Sequence, residues 1–132
     1  ATDDPEKIID LIRAAGTMVG VSIKPKTPLD SILSIVDKVD LVLVMSVEPG
    51  FGEQSYLPGS TERIIELKQY LSDQCLDRVQ IEVDGGIKLQ NVGEVISAGG
   101  DILVAGSEVF RSNDPVATIQ QFYKQAVMVD IS

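Results

Sequence analysis

The stretch VQIEVDGGI, residues 79–87, ends an apolar alternation on a carboxylate, Asp84, and follows it with Gly85 and Gly86. A carboxylate held at a strand end can move a proton or ligate a cation. Glycine turns leave backbone N–H groups bare, and such groups hold phosphate without any lysine or arginine. Glycines recur after an apolar run in VEPGFGEQ, 47–54, with Gly50, Phe51, Gly52 and Glu53, and in VAGSEVF, 104–110, with Gly106 and Ser107. Taken singly, each is as much a turn signal as a site. Asp84 itself also reads as a turn residue bonding its own backbone before Gly85. The pairing of two glycine loops in consecutive units is what points toward a phosphate cradle.

These residues need elements to position them. Asp4 as N-cap and Pro5 at the first helical position open a helix with Ile8, Ile9, Leu11 and Ile12 on its apolar face, stopped by Gly16. A strand over 17–23 follows, then KPKTP, then a helix over about 29–36. DLVLVMS, 40–46, is a nearly continuous apolar run, as expected of a parallel strand. The connection 47–59 is long for such units, and long loops of this kind often act as lids. Ser60 or Thr61 caps a helix with Ile64, Ile65, Leu67 and Leu71 at helical spacing. Strands over 79–83 and 101–106 flank a helix over about 89–98, and Asp114 and Pro115 start a last helix with Ile119, Phe122 and Tyr123 on its apolar face.

Strict alternation of strand and helix predicts an α/β fold with a parallel sheet. Four strands make either a small open sheet or half of a (β/α)8 barrel, which normally needs roughly 200 residues or more. In both, chemistry sits at the C-terminal ends of the strands. The two-residue period of 79–84 sets Val79, Ile81 and Val83 against helices and turns Gln80, Glu82 and Asp84 the other way, into the interior of a barrel. Met45 shares the inward set with Leu41 and Leu43, where its spacing reads as core filling. Lys24 reads as a solvated charge, and Phe51 and Tyr56 as loop or lid anchors.

The chain has 132 residues and 44% hydrophobic content, so residues 1–132 read as a single domain with one core. A net charge of -9 with scattered basic residues excludes nucleic acid as the expected partner. No apolar run approaches the roughly 20 residues of a membrane span, and the opening ATDDPEK is unlike a signal peptide. The reading is a soluble, cytoplasmic protein without membrane partners. The chain contains no histidine, which rules out an imidazole-ligated metal built from these residues alone. Its one cysteine, Cys75, reads as a partly buried, unreactive thiol. The missing initiator methionine and the acidic opening predict a processed protein or a piece of a longer one.

In order and separation, LVMSVEPGFGEQ (43–54), IEVDGGI (81–87) and VAGSEVF (104–110) resemble the ribulose-phosphate 3-epimerase family, and VGVSIKP (19–25) looks like that family's fifth-strand segment. The resemblance covers essentially the whole chain but only the second half of the family's barrel. It implies a (β/α)8 TIM barrel, of which this chain is about the last four units. It also implies interconversion of D-ribulose 5-phosphate and D-xylulose 5-phosphate in the pentose phosphate pathway, with a divalent metal cation (zinc, iron, manganese or cobalt) as cofactor. By resemblance, Asp84 is both a metal ligand and one of two acid/base carboxylates, and Met45 stands beside the metal. Gly50, Phe51, Gly52 and Glu53 match the lid over the phosphate, although the family usually has glycine at the position of Glu53. Gly85, Gly86, Gly106 and Ser107 match the phosphate cradle. The second aspartate and both histidine ligands belong to the family's first half, so the isolated chain is expected to be inactive. Two other readings stand beside this one. One is a non-catalytic half-barrel that binds phosphate or assembles as a homo-oligomer through its open sheet edges. The other is a different phosphate-binding barrel enzyme, such as a decarboxylase or a thiamin phosphate synthase.

Overall fold

A computed structural model describes residues 4–47, 55–105, 113–121 and 124. Helix α1, Pro5–Ala14, begins as its sequence demands: the Asp4 carboxylate accepts the Lys7 N–H at 3.3 Å. Strand β1 is Gly20–Ile23, shorter at its start than the expected 17–23. The cause is Asp40, whose Oδ2 takes the Val19 N–H at 2.8 Å while its own N–H donates to the Val19 carbonyl. A side chain therefore replaces the first rung of the ladder. Asp101 repeats the device before the last strand, accepting the Ile81 N–H at 2.9 Å.

Helix α2, Asp30–Leu33, is a single turn, followed by a 3-10 turn at Val36–Lys38, where one helix over 29–36 was expected. Ser31 Oγ donates to the Pro28 carbonyl at 2.6 Å, one of the local bonds by which serine competes with a regular helix. Ile32, Ile35 and Val36 are buried. Strand β2 is Leu41–Met45. Helix α3, Ser60–Asp73, buries Ile64, Leu67 and Leu71 but leaves Ile65 51% exposed, so Ile65 lies off the apolar face assigned to it. Neither Ser60 nor Thr61 caps α3; Gly59 stands at the cap in a left-handed conformation, φ 92°. Gln74 caps the C-terminal end of the helix, and Cys75 beyond it is exposed at φ 57°, which corrects the partly buried thiol.

Strand β3 is Gln80–Asp84, helix α4 is Val92–Ala98 and strand β4 is Ile102–Val104. Helix α4 starts later than expected because Asn91 ties the preceding residues into a turn, accepting the Lys88 N–H at 2.8 Å and donating to the Gly86 carbonyl at 2.9 Å. Residues 115–121 are helical, with Asp114 capping through the Ala117 N–H. Ile119 is 41% exposed there, while Phe122 and Tyr123 lie outside the described residues. Among the described residues no helix is long and apolar enough to cross a membrane.

The strands form one parallel sheet in the order β1-β2-β3-β4. A doubly wound sheet reverses its order at a switch point and carries helices on both faces. Here the order never reverses, and one face takes the cover. Val42, Val44, Ile81 and Val83 are fully buried and share a core with Ile64, Leu67 and Leu71 of α3 and Val92, Val95 and Ala98 of α4. The alternate residues Leu41, Leu43, Met45, Glu82 and Asp84 are only half-buried on the opposite face. Sequential parallel strands with one-sided cover are the architecture of a partial (β/α) barrel.

The Asp40 clamp is also an acid-sensitive element. Its carboxyl is held below the ordinary value of 3.8, chiefly by the Val19 N–H, with Arg13 and Arg78 adding to the effect against a smaller opposing cost of burial. A depressed folded value means the stabilisation is present above the ordinary carboxylate range and is lost as pH falls through the lowered value. Asp40→Asn is predicted to lower the thermal midpoint at neutral pH. The gap to the wild type should narrow below about pH 4, read by thermal unfolding at several pH values; a gap independent of pH would remove the ionic role.

Candidate functional site

The register of β2 on β3 pairs Met45 with Asp84 and Leu43 with Glu82. Register partners in a parallel sheet point to the same face. Asp84 and Met45 therefore lie side by side at the C-terminal end of the sheet, on the face away from the helices, with Glu82 one layer deeper. Asp84 also pairs with Val104 of β4, so it stands between two strands. The sequence-based placement of Gln80, Glu82 and Asp84 opposite Val79, Ile81 and Val83 holds: the three apolar residues are buried, Gln80 is exposed and the two acids are half-buried.

Beyond Asp84 the chain turns through Gly85 at φ 128° and Gly86 at φ 73°. Both positions need glycine twice over. Their φ values lie where L side chains are strained, and neither has room for a Cβ. At Gly85 a Cβ would sit 2.7 Å from Val47 Cγ2 and 2.9 Å from Val47 N; at Gly86 it would overlap the backbone nitrogen of Tyr56. The loops after β2 and β3 thus pack backbone against backbone. Among the described residues, neither the Gly85 nor the Gly86 N–H donates to a backbone acceptor.

Two features escaped sequence reasoning. Ser46, directly after β2, is fully buried and bonds both to the Asp84–Gly85 segment and to Leu57. Its only signal was a serine closing an apolar run. The second is a chain of side chains, Tyr56 Oη to Thr61 Oγ1 at 2.8 Å and Thr61 Oγ1 to the Glu94 carboxylate, which joins the loop before α3 to α4. Burial pushes the Tyr56 phenol above its ordinary value, and the carboxylates of Glu94 and Glu62 push the same way against the Thr61 bond. An open groove of about 650 Å³ runs beside this chain, lined by Gly86, Lys88 and Asn91 on one side and by Tyr56, Gly59 and Glu62 on the other. Lys24 is exposed, as expected. Gly50, Phe51, Gly52, Glu53, Gly106 and Ser107 lie outside the described residues.

A divalent cation would need several of these groups together. Asp84 supplies oxygen donors of a suitable kind, but a bound zinc takes three or four protein ligands. Among the described residues no three His, Cys, Asp or Glu side chains converge, and the chain has no histidine. The described residues of this chain alone do not fit such an ion.

The tight approach at Gly86 yields a prediction. Gly86→Ala should destabilise by about 1–3 kcal/mol, the cost of a strained backbone, and by more than Gly59→Ala, whose φ is also positive but whose Cβ would meet open space. Urea unfolding of the two variants compares them directly; equal losses would show that the Tyr56 contact costs nothing.

The model of the ribulose-phosphate 3 epimerase family matches residues 1–110. The ribulose-phosphate 3-epimerase of Escherichia coli is 35% identical over 129 residues, 98% of this chain and 57% of that protein. The protein of the same name from Mycobacterium bovis is 40% identical over 126 residues, 96% of this chain and 55% of that protein. The chain therefore spans little more than half the length of these relatives. Among solved structures, a chain of the crystal structure of the Amycolatopsis orientalis BexX/CysO complex superposes with a TM-score of 0.70 at 18% identity, covering 96% of this chain and 48% of that one, a likeness of fold. From the family match and these identities together, the chain belongs to the ribulose-phosphate 3-epimerase family.

Proposed function

We propose that this chain is the C-terminal portion of a ribulose-phosphate 3-epimerase, and that the intact protein interconverts D-ribulose 5-phosphate and D-xylulose 5-phosphate. The observation that carries the reading is the junction at the end of β3: a carboxylate, Asp84, beside Met45, followed by two left-handed glycines whose N–H groups have no backbone acceptor among the described residues. Proton chemistry and phosphate binding would then share one turn of chain.

Inverting the carbon next to a ketone requires taking a proton from one face and returning one to the other, so two acid/base groups must flank it. Asp84 is one of them. It sits on a strand held on both sides, which fixes its carboxylate more rigidly than a free loop would. Glu82, one layer deeper and half-buried, lines the floor beneath it. The N–H groups of Gly85 and Gly86 grip the phosphate at one end of the sugar and so place the reacting carbon against Asp84. Gly106 and Ser107 complete this cradle, and Gly50, Phe51, Gly52 and Glu53 cover it. The second carboxylate and the remaining ligands of a divalent cation come from the part of the protein that its relatives possess and this chain does not span. β1 and β4 are the edge strands of this sheet, and in a closed barrel each pairs with a strand of that other part.

Asp84→Asn in the intact protein should keep the fold and the affinity for inorganic phosphate while lowering the epimerisation rate by at least about a hundredfold, followed by a coupled assay of xylulose 5-phosphate. A variant turning over at the wild-type rate would sink the role of Asp84. The 132-residue chain alone should show no epimerisation, since it holds one of the two proton-transfer groups; turnover by the purified chain would show that the second group lies within it.

A further inference from the structure

Ser46 is one of only two polar residues buried among the described residues, at 0% exposure, and three hydrogen bonds converge on it. Its N–H donates to the Asp84 carbonyl at 2.9 Å, its Oγ–H donates to the Gly85 carbonyl at 2.5 Å, and its carbonyl accepts the Leu57 N–H at 2.8 Å. One residue thus touches the proton-transfer strand, the glycine turn and the returning loop before α3.

The bond to Gly85 matters most. The described peptides are all trans, and a planar trans peptide points its C=O and N–H in opposite directions. Pinning the Gly85 carbonyl onto Ser46 therefore sets the direction of the Gly86 N–H, away from Ser46. This peptide lies between two glycines, the residues freest to rotate about ψ on one side and φ on the other. Backbone sterics alone leave such a unit with more than one accessible orientation. The Ser46 hydroxyl selects one of them.

We infer that Ser46 is a positioning residue whose hydroxyl, by holding the Gly85 carbonyl, aims the Gly86 N–H at a phosphate oxygen of the substrate. The inference rests on the reading of Gly85 and Gly86 as a phosphate cradle. It differs from a stabilising role in what it predicts. Loss of stability removes active molecules and lowers the apparent kcat at constant KM. A misaimed amide weakens the ground-state grip on phosphate and raises KM.

The test uses the intact protein and its Ser46→Ala, Ser46→Thr and Ser46→Cys variants. Binding of inorganic phosphate is measured by calorimetry, and kcat and KM are measured with ribulose 5-phosphate. Ser46→Ala should weaken phosphate binding and raise KM by roughly 3- to 10-fold, the worth of one hydrogen bond. Ser46→Thr, which keeps the hydroxyl, should restore both. Ser46→Cys, with a weaker donor and no added methyl, should fall between. Wild-type phosphate affinity in Ser46→Ala, a loss that neither Ser46→Thr nor Ser46→Cys relieves, or an intact protein that binds no phosphate would overturn the inference. A protein that binds phosphate but does not epimerise would refute the epimerase reading, and the phosphate titrations alone would then decide the role of Ser46.

Discussion

The parallel registration of β2 on β3 is the constraint on which the rest depends. It pairs Val42 with Ile81 and Val44 with Val83 on the helix side, and Met45 with Asp84 on the other. Side chains alternate at every residue, so a slip of one position would turn Val83 outward and drive Asp84 among the buried aliphatic side chains. An unpaired carboxylate there is heavily penalised. Burial of the valines and isoleucines therefore fixes where the acid stands.

The two ends of the sheet are built differently. At the N-terminal ends, Asp40 and Asp101 each replace a ladder rung with a carboxylate bond and hold neighbouring strands together. Arg13 and Arg78 close over Asp40, at 3.3 and 3.9 Å from its Oδ1. At the C-terminal end of β3 the chain instead turns through Gly85 and Gly86 at positive φ, and their N–H groups meet no backbone acceptor among the described residues. This division, in which one end stabilises and the other carries loops free to do chemistry, is the general pattern of parallel barrels.

Much of this was legible in the sequence. The apolar runs around Val42 and Ile81, the alternation that separates Asp84 from Val83, and the Asp4–Pro5 helix start all follow from short-range periodicity and capping chemistry. What was not legible depended on partners distant in sequence. Strand β1 starts late because its Val19 N–H goes to Asp40, and α4 starts late because Asn91 reaches back to Gly86. Ser60 has the chemistry of a cap but is buried inside the helix, and Gly59 takes the position. Ser46 looked like the polar end of an apolar run, and only the fold brings it to the Gly85 carbonyl. The open sheet and the half-barrel separate only once strand order and the one-sided cover of helices are known. The resemblance in VEPGFGEQ and VAGSEVF named the family, but most of those residues lie outside the described ones.

The central claim is that Asp84 works within a site that exchanges a proton at the carbon beside the ketone of a sugar phosphate. The most direct measurement is to incubate the intact protein with D-ribulose 5-phosphate in deuterated water and follow the proton at carbon 3 by NMR. The account predicts that this signal disappears as deuterium enters, with xylulose 5-phosphate appearing alongside. A protein that binds the sugar phosphate and leaves that proton in place would contradict it.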